Sequence, residues 1–487
     1  MSKIAKVNTI ALNGLIAESC TIEVQVFDEG IGIHLVGIAD SATKESLLRV
    51  VTALQSAGYA IPGKKIVINV TPVVNSATDS LDLPIALGLL SASGAEELPL
   101  LENAVVLGQL GLDASVRDVS GSLQAAEHCT SEFVPDGICI LPTRNAVDAL
   151  RTKAVTPPYG VDTLKQAVAI LNGDKGMATE RSSKTLILSE QKESRTKQKT
   201  TFAELMPFDD ARLRAAEIAA AGGFGIICSG PEEANPGNTA VLIHALLPEL
   251  TDEAKHHINQ YLSYINEPYG KDDIPVPFIT APAQVINLFG THFNPGGCVA
   301  SSEGVLSIQD ADKLTSTQIT ALAEARQTGF VTYATRTVDG KKTFHYLPSA
   351  FQPVLTVREG KDIKDTLSHS TLSLAEMKVH LGPAPFGKGR EAVLRSSSEK
   401  VKDARELSIK RNGTLAFRVP EETALHMLDG HPDSLEVLRK IVTTLGLSKT
   451  EKKNLVLIAR VISDLDGKED ITPEAIGEAA GYVHHVK

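Results

Sequence analysis

The chain has 487 residues, which suggests about three domains at roughly 150 residues each. Its 43% hydrophobic and 22% charged residues, with a mean hydropathy of zero, indicate a globular protein and exclude a disordered, collagenous or coiled-coil chain. The net charge of −11 gives no whole-chain attraction to nucleic acid, although a local basic face stays possible.

The compartment and the redox state follow from what the sequence lacks. No apolar stretch approaches the ~18 residues of a membrane span, and the N-terminus has neither an apolar run nor a cleavage site. We therefore expect a cytoplasmic protein with no membrane partner. The five cysteines include no CxxC pair, so we predict buried reduced thiols and no disulfide or zinc site.

The first part of the chain, residues 1–172, is predicted to be an α/β domain. Alternating polar and apolar residues predict strands at 22–27 and 65–70, and helical spacing with a capping residue predicts a helix over 41–58. Further elements are predicted at 82–91 and 122–128 as helices, and at 104–110 and 137–141 as strands.

Residues 183–200 are polar and basic, without aromatic side chains, and predict an exposed linker at 173–203. Beyond it, an amphipathic helix over 209–221 precedes a buried strand at 225–229 that ends in Gly230-Pro231. A strand followed by a tight turn and a helix is typical of nucleotide-binding modules. More strands are predicted at 304–308 and 352–357, and helices at 435–445, 449–465 and 473–483.

This order of segments resembles the ComM/YifB family of magnesium-chelatase-like AAA+ proteins over nearly the whole chain. The matching segments are 12–15, 34–50, 67–72, 80–94, 215–223, 246–254, 294–297, 304–306 and 457–467. The resemblance implies an N-terminal Lon-protease-like (ribosomal S5 domain 2-like) α/β domain at 1–172, a linker at 173–203, an AAA+ α/β core at 204–395 and a helical lid at 396–487. It also implies ATP, magnesium, a hexameric ring and a link to DNA branch migration during natural transformation.

The phosphate loop departs from the family pattern. The family carries GxxxxGK[ST], in which backbone N–H groups surround the phosphates and the lysine neutralises their charge. This chain reads GPEEANPG at 230–237, with Pro236 at the lysine position and Gly237 at the hydroxyl position. Proline donates no N–H, and Glu232 and Glu233 place two carboxylates beside a nucleotide's own charge. We expect this loop to repel phosphate.

The other catalytic positions of the family are altered as well. Gln309 and Asp310 stand where the family has Asp-Glu, the sensor asparagine falls around Arg358, and the arginine finger falls near Leu374. Only Arg460, the lid's sensor arginine, is retained. The remnants of the nucleotide site would be Gly230, Pro231, Gly237, Asp310 and Arg460. Structural roles are the favoured interpretation, with Arg460 paired to an acidic neighbour such as Asp464 and Asp310 capping a turn.

These losses predict a protein that neither binds ATP and magnesium nor hydrolyses ATP, and that has no catalytic residues. The resemblance then implies a non-hydrolysing scaffold or ring subunit in DNA uptake or recombination. Its expected partners are further copies of itself, an intact AAA+ paralogue, or DNA. The alternative is an active ATP-dependent AAA+ motor of the DNA branch-migration helicase type with an atypical phosphate loop.

Other candidate chemistry is weaker. Ser80 lies near the nucleophile position of the Lon-like fold, but 119–128 contains no partner lysine. We therefore expect Ser80 to cap the following helix. A serine hydrolase that uses Ser80 is a further alternative. The adjacent pairs His256-His257 and His484-His485 do not have the i, i+4 spacing of metal ligands. The basic run 388–411 is predicted to be a solvated helix face, with contact to DNA phosphates as the alternative.

Overall fold

A computed structural model describes residues 4–13, 15–38, 40–74, 78–129, 134, 137–151, 157–177, 208–268, 276–291, 296–336, 342–357, 363, 367–383 and 391–484. Most of the predicted linker lies outside these residues. The elements of the first stretch are β1 Ile4–Asn13, β2 Ile16–Phe27, β3 Gly32–Ile38, α1 Asp40–Ser56, β4 Lys65–Val74, α2 Asp82–Ser93, β5 Ala104–Val106, β6 Gln109–Leu110, β7 Val116–Arg117, α3 Ser122–His128, β8 Ile138–Pro142, α4 Thr143–Arg151, β9 Tyr159–Val161 and α5 Leu164–Leu171.

The later stretch alternates strands with helices and ends in helices alone. Its elements are α6 Asp210–Gly222, β10 Ile226–Ser229, α7 Asn238–Leu246, α8 Asp252–Tyr264, β11 Phe278–Thr280, α9 Val285–Leu288, α10 Gly297–Ala300, β12 Val305–Gln309, α11 Ser316–Thr328, β13 Phe330–Arg336, β14 Lys342–Pro348, β15 Gln352–Thr356, α12 His369–Leu372, β16 Met377–His380, α13 Glu391–Asn412, α14 Glu421–His426, α15 Pro432–Leu445, α16 Lys449–Leu465 and α17 Pro473–Val483.

The chain divides into two compact units. The first comprises residues 1–193 with two later segments, 251–272 and 332–347, and the second comprises 194–250, 273–331 and 348–487. This division differs from the predicted boundaries, because it assigns two segments of the predicted core to the first unit and joins the rest of the core to the lid.

The first unit is built on a seven-stranded mixed sheet in the order β3-β4-β2-β1-β5-β8-β9. The pairs β1–β2 and β2–β4 are antiparallel, and the remaining pairs are parallel. Helix α2 lies on this sheet and is buried along almost its whole length. Gly88 allows that close approach, because a Cβ there would stand 2.8 Å from Val24 Cγ2.

A buried carboxylate at the start of α2 holds three elements of this unit together. Asp82 is fully buried, and it accepts hydrogen bonds from Ser46 Oγ at 2.6 Å, Arg49 Nε at 2.7 Å and the amide of Leu110 at 3.3 Å. Burial raises the pKa of this carboxyl, and the bonds from Arg49 and Ser46 oppose the rise. The network therefore joins α1, α2 and β6.

Helix α8 packs on α3 within the first unit, although 140 residues separate them in sequence. Ser263 makes the main contact: its carbonyl accepts from the amide of Gly121 at 2.9 Å, and its Oγ accepts from the amide of Leu123 at 2.9 Å. These bonds satisfy N–H groups at the start of α3 that the helix itself leaves open.

The second unit contains a parallel sheet in the order β11-β12-β15-β10-β16, so the first strand in sequence, β10, lies between the last two. The central strands β10, β12 and β15 are buried along almost their whole length, whereas the edge strand β11 is largely exposed. The sheet, α6, α7 and the C-terminal helices share one hydrophobic core.

The predicted mixed α/β architecture, with an N-terminal sheet domain, a parallel-sheet core and a helical C-terminal region, is confirmed. All five cysteines are buried free thiols, as predicted. None of the helices in the described part of the chain combines the length and apolar character needed to cross a bilayer.

Candidate functional site

The candidate nucleotide loop begins at the carboxyl end of β10, in the middle of the parallel sheet. All four residues of β10 are buried, and Gly230 follows with φ +154°. Only glycine fits there, because a Cβ would lie 2.3 Å from the carbonyl oxygen of Leu381. The structure thus has a strand followed by a tight turn at Gly230, where the sequence predicts the phosphate loop.

The loop bonds to itself. Residues Glu232–Ala234 form a 3₁₀ turn, and Asn235 adopts the left-handed conformation with φ +49°. The amides of Ala234, Asn235 and Asn238 donate to the carbonyls of Pro231, Glu232 and Asn235, at 2.9, 2.9 and 3.0 Å. Pro236 has no N–H to give. These three backbone donors are therefore directed within the loop.

A buried arginine donates a hydrogen bond to the loop. Arg212, on α6, is 1% exposed and donates a hydrogen bond from Nη2 to the carbonyl of Ala234. Burial lowers the pKa of Arg212, and the nearby Cys228 and Asp209 oppose that change. Motif reasoning missed this residue, which lies outside the loop and stands on the helix before it.

Gln309 lies beside Gly237, so the two positions that the resemblance assigns to magnesium binding are close together. A Cβ on Gly237 would lie 3.2 Å from Gln309 Nε2. The amide of Gln309 accepts from Thr280 Oγ1 at 3.1 Å, and its backbone carbonyl accepts from the amide of Ala281 at 2.9 Å. The position is thus held by a neutral amide instead of a carboxylate.

Asp310 makes a local ion pair. It has φ +54°, and its Oδ2 lies 2.6 Å from Lys313 Nζ. The expectation that it caps a turn is wrong in its details: Asp310 does precede the 3₁₀ turn Ala311–Lys313, but its side chain makes no capping bond there. The carboxylate of Asp310 is paired with Lys313 instead.

Arg460 is part of the internal structure of the helical region. It is 6% exposed, lies 3.0 Å from Asp464 Oδ1, and donates to the carbonyls of Glu469 and Lys468 at 2.8 and 2.7 Å. The predicted pairing with Asp464 is confirmed. Burial is the largest cause of its lowered pKa.

The finger position holds a buried side chain. Leu374 is 3% exposed, and its carbonyl accepts from Arg326 Nη1 at 3.0 Å. Arg358, at the predicted sensor position, lies outside the described residues. A contact not predicted from sequence joins Ser229 Oγ and His380 Nδ1 at 3.1 Å, where β10 and β16 end beside Gly230.

The prediction that Ser80 caps α2 is wrong. Leu81 occupies the capping position and makes no side-chain capping bond, while Ser80 lies in a preceding 3₁₀ turn. His128 is half-buried, and its Nε2 lies 2.9 Å from Ser19 Oγ. His256 pairs with Glu127 at 3.3 Å. His485 lies outside the described residues, among which no three His, Cys, Asp or Glu side chains are grouped to hold a metal.

The basic run on α13 does not form one solvated face. Arg405 turns inward and donates to the carbonyl of Ala220 at 2.6 Å, and Arg411 makes two bonds to Asp464, at 3.1 and 2.7 Å. Exposed lysines remain along the helix, namely Lys400, Lys402 and Lys410. The arginines therefore serve packing, and this weakens the DNA alternative for the run.

Comparison with known proteins agrees with this architecture. Residues 22–145 match the family model for subunit ChlI of Mg-chelatase, and residues 395–483 match the model for the C-terminal part of that subunit. The chain is therefore related to the Mg-chelatase ChlI family at both ends.

Individual relatives extend the match across the chain. Competence protein ComM of Haemophilus influenzae is 26% identical, over 98% of this chain and 97% of its own. The YifB protein of Escherichia coli K12 is 25% identical, over 98% and 96%. An uncharacterized protein of Mycobacterium tuberculosis is 27% identical over 71% and 67%. The chain is thus similar to ComM and YifB proteins over nearly its whole length.

Proposed function

We propose that this ComM/YifB-like protein is a non-hydrolysing scaffold or ring subunit in DNA uptake or recombination. The observation that supports this proposal most strongly is that the backbone amides of the candidate phosphate loop donate hydrogen bonds within the loop itself. The amides of Ala234, Asn235 and Asn238 are engaged within it, and Pro236 supplies neither a charge nor an N–H. A phosphate would have to break these bonds without gaining the charge-assisted contact that a lysine gives.

The charges around the loop support the same proposal. Glu232 and Glu233 are exposed on it and would face the anionic nucleotide. The magnesium positions hold the neutral Gln309 and an Asp310 already paired with Lys313. The residues present therefore do not fit ATP and magnesium.

The remaining parts of the proposal come from the relatives. One relative carries the name competence protein, and competence concerns the uptake of DNA. The N-terminal unit would be Lon-protease-like without the serine–lysine chemistry, because 119–128 has no lysine. In the proposed ring, copies of this chain assemble with each other or with an intact AAA+ paralogue that supplies ATP turnover, on or near DNA.

The decisive measurement is calorimetric titration with ATP and magnesium, using the Haemophilus influenzae ComM protein as the comparison. We expect no binding in the micromolar range for this chain. Tight binding accompanied by phosphate release would instead establish the alternative, an active motor with an atypical loop.

Assembly is tested separately. Affinity capture of the tagged chain from its host, followed by native mass spectrometry, should recover an oligomer containing this chain. The presence of an intact AAA+ paralogue would identify a mixed ring. A monomer with no co-purifying AAA+ protein would contradict the ring part of the proposal.

A further inference from the structure

A cavity of about 130 Å³ lies in the second unit, at the edge of the sheet opposite the phosphate loop. Gly223 stands before β10, Gly304 before β12, and Gln352 begins β15, so the amino ends of three parallel strands form its floor. No sequence motif marks this edge of the sheet.

Three arginines from three different elements line the cavity. Arg326 comes from α11, Arg405 from α13, and Arg418 from the 3₁₀ turn Ala416–Arg418. The guanidinium carbons of Arg326 and Arg418 lie 4.8 and 5.3 Å from the ring centre of Phe417. Both cations are therefore held against one aromatic ring.

Two of these arginines have acidic neighbours. Arg326 donates to both carboxylate oxygens of Glu376, at 3.0 and 2.9 Å, and Glu303 attracts Arg405 across the cavity wall. Arg418 is exposed, and within the described part of the chain no ion pair to it is found. The cavity lining and its immediate neighbour thus carry three positive and two negative charges.

The hydrogen bonding of two of these arginines leaves room for a further acceptor. Arg326 is 8% exposed, yet its Nε has no hydrogen-bond partner among the described residues. Arg405 spends one bond on the carbonyl of Ala220, and burial lowers its pKa to about 10. A desolvated guanidinium is stabilised by a further anionic acceptor.

We propose that this cavity binds a single phosphate group, as free phosphate or as a small phosphomonoester. A tetrahedral phosphate offers oxygens in several directions, which suits guanidinium groups arriving from three elements. A carboxylate has only two oxygens and is saturated by one arginine fork. The volume resembles that of a cavity that holds benzene, ~150 Å³, and is too small for a nucleotide.

The inference is independent of the proposed function, since it uses no residue of the loop at 230–237. It predicts phosphate binding whether or not the loop takes ATP. Phosphate bound at the loop would be indifferent to substitution of Arg418, and this separates the two sites.

The test is calorimetric titration of the full chain with sodium phosphate, glycerol 3-phosphate and sodium acetate at constant ionic strength. Phosphate should bind more tightly than about 1 mM, and acetate at least about tenfold more weakly. Binding of glycerol 3-phosphate as tight as that of phosphate, or tighter, would identify a phosphomonoester site. Failure of glycerol 3-phosphate to bind would identify a site for free phosphate. Equal binding of acetate would overturn the assignment to phosphate.

Variants locate the bound phosphate. Arg418→Gln, at an exposed position, should weaken binding at least about tenfold, and Arg405→Gln should abolish it. Lys402→Gln removes an exposed charge from the same helix as Arg405 and should leave affinity unchanged. If Arg405→Gln fails to fold, as checked by circular dichroism, Arg418→Gln alone decides. No binding by the parent chain at 10 mM phosphate, about ten times the expected limit, or affinity unaltered in Arg418→Gln, would overturn the proposal.

Discussion

Arg460 and Asp464 are buried one turn apart on α16, with Nη2 and Oδ1 3.0 Å apart. Arg411 reaches the same carboxylate from α13, so two helices are joined through one acidic side chain. Arg460 also binds the carbonyls of Lys468 and Glu469, which fixes the turn after α16. Arg460, which the resemblance assigns to a sensor position, thus has a structural role here.

Arg460→Ala should therefore lower stability and leave nucleotide affinity unchanged. We expect a loss of about 2 kcal/mol in urea unfolding, less than for an isolated buried pair because Arg411 still compensates Asp464. Arg439→Ala, at an exposed position on α15, is the matched control and should have no measurable effect. A stable Arg460→Ala protein with altered ATP binding would show that the arginine senses nucleotide after all.

The Asp82–Arg49 pair predicts a pH dependence in the first unit. Burial raises the pKa of Asp82 above its unfolded value, so the stability due to this group is greatest at low pH and falls as pH rises through the folded pKa. Arg49 limits that fall through its ion pair. In Arg49→Met, the deficit relative to the parent chain should reach about 3 kcal/mol at pH 7 and shrink toward pH 4.

Urea unfolding at the two pH values measures this deficit. Adding Asp82→Asn to Arg49→Met removes the buried charge and should abolish the pH dependence of the deficit. A deficit that is the same at both pH values would mean that Arg49 acts through packing alone.

Glu376 joins three elements at the amino edge of the parallel sheet. It accepts two bonds from Arg326 on α11 and one, at 2.7 Å, from the amide of Gly225 before β10. Glu376→Gln leaves the Arg326 charge buried, and we expect a loss of about 3 kcal/mol in the free energy of unfolding. Glu436→Gln breaks the fully exposed pair with Lys440 and should cause no measurable change. Equal effects in the two variants would refute the buried role of Glu376.

Local signals predicted the helical region well. The predicted bounds 449–465 and 473–483 are those observed, because Ser448 and Thr472 cap α16 and α17 and the apolar spacing is regular between them. The strand at Ile226–Ser229 was likewise evident as a short apolar run before Gly230-Pro231.

Long-range contacts could not be predicted in the same way. The hydrogen bonds that the amides of Gly121 and Leu123 donate to Ser263 depend on chain topology, so no local pattern predicts the grouping of 251–272 with the first unit. Arg405 did leave a signal: it lies four residues after Val401 and three before Ser408, both on the buried face of α13. The number of charges in 388–411 predicts a solvated face, whereas the position of Arg405 on the buried face indicates packing.

The double substitution Pro236→Lys, Gly237→Thr should not create an ATPase. Gly237 has φ −60°, which threonine adopts, but its Cβ would stand 3.2 Å from Gln309 Nε2, so that amide must shift. The site would still contain a neutral Gln309 and an Asp310 paired with Lys313, which leaves magnesium without its usual carboxylates. Catalytic groups that act as a unit are far from additive, so we expect phosphate release no faster than in the parent chain.

Substituting Gln309→Asp as well is the informative comparison, since it relieves the contact and adds a carboxylate. Robust turnover by the double variant alone would show that the rest of the site is intact.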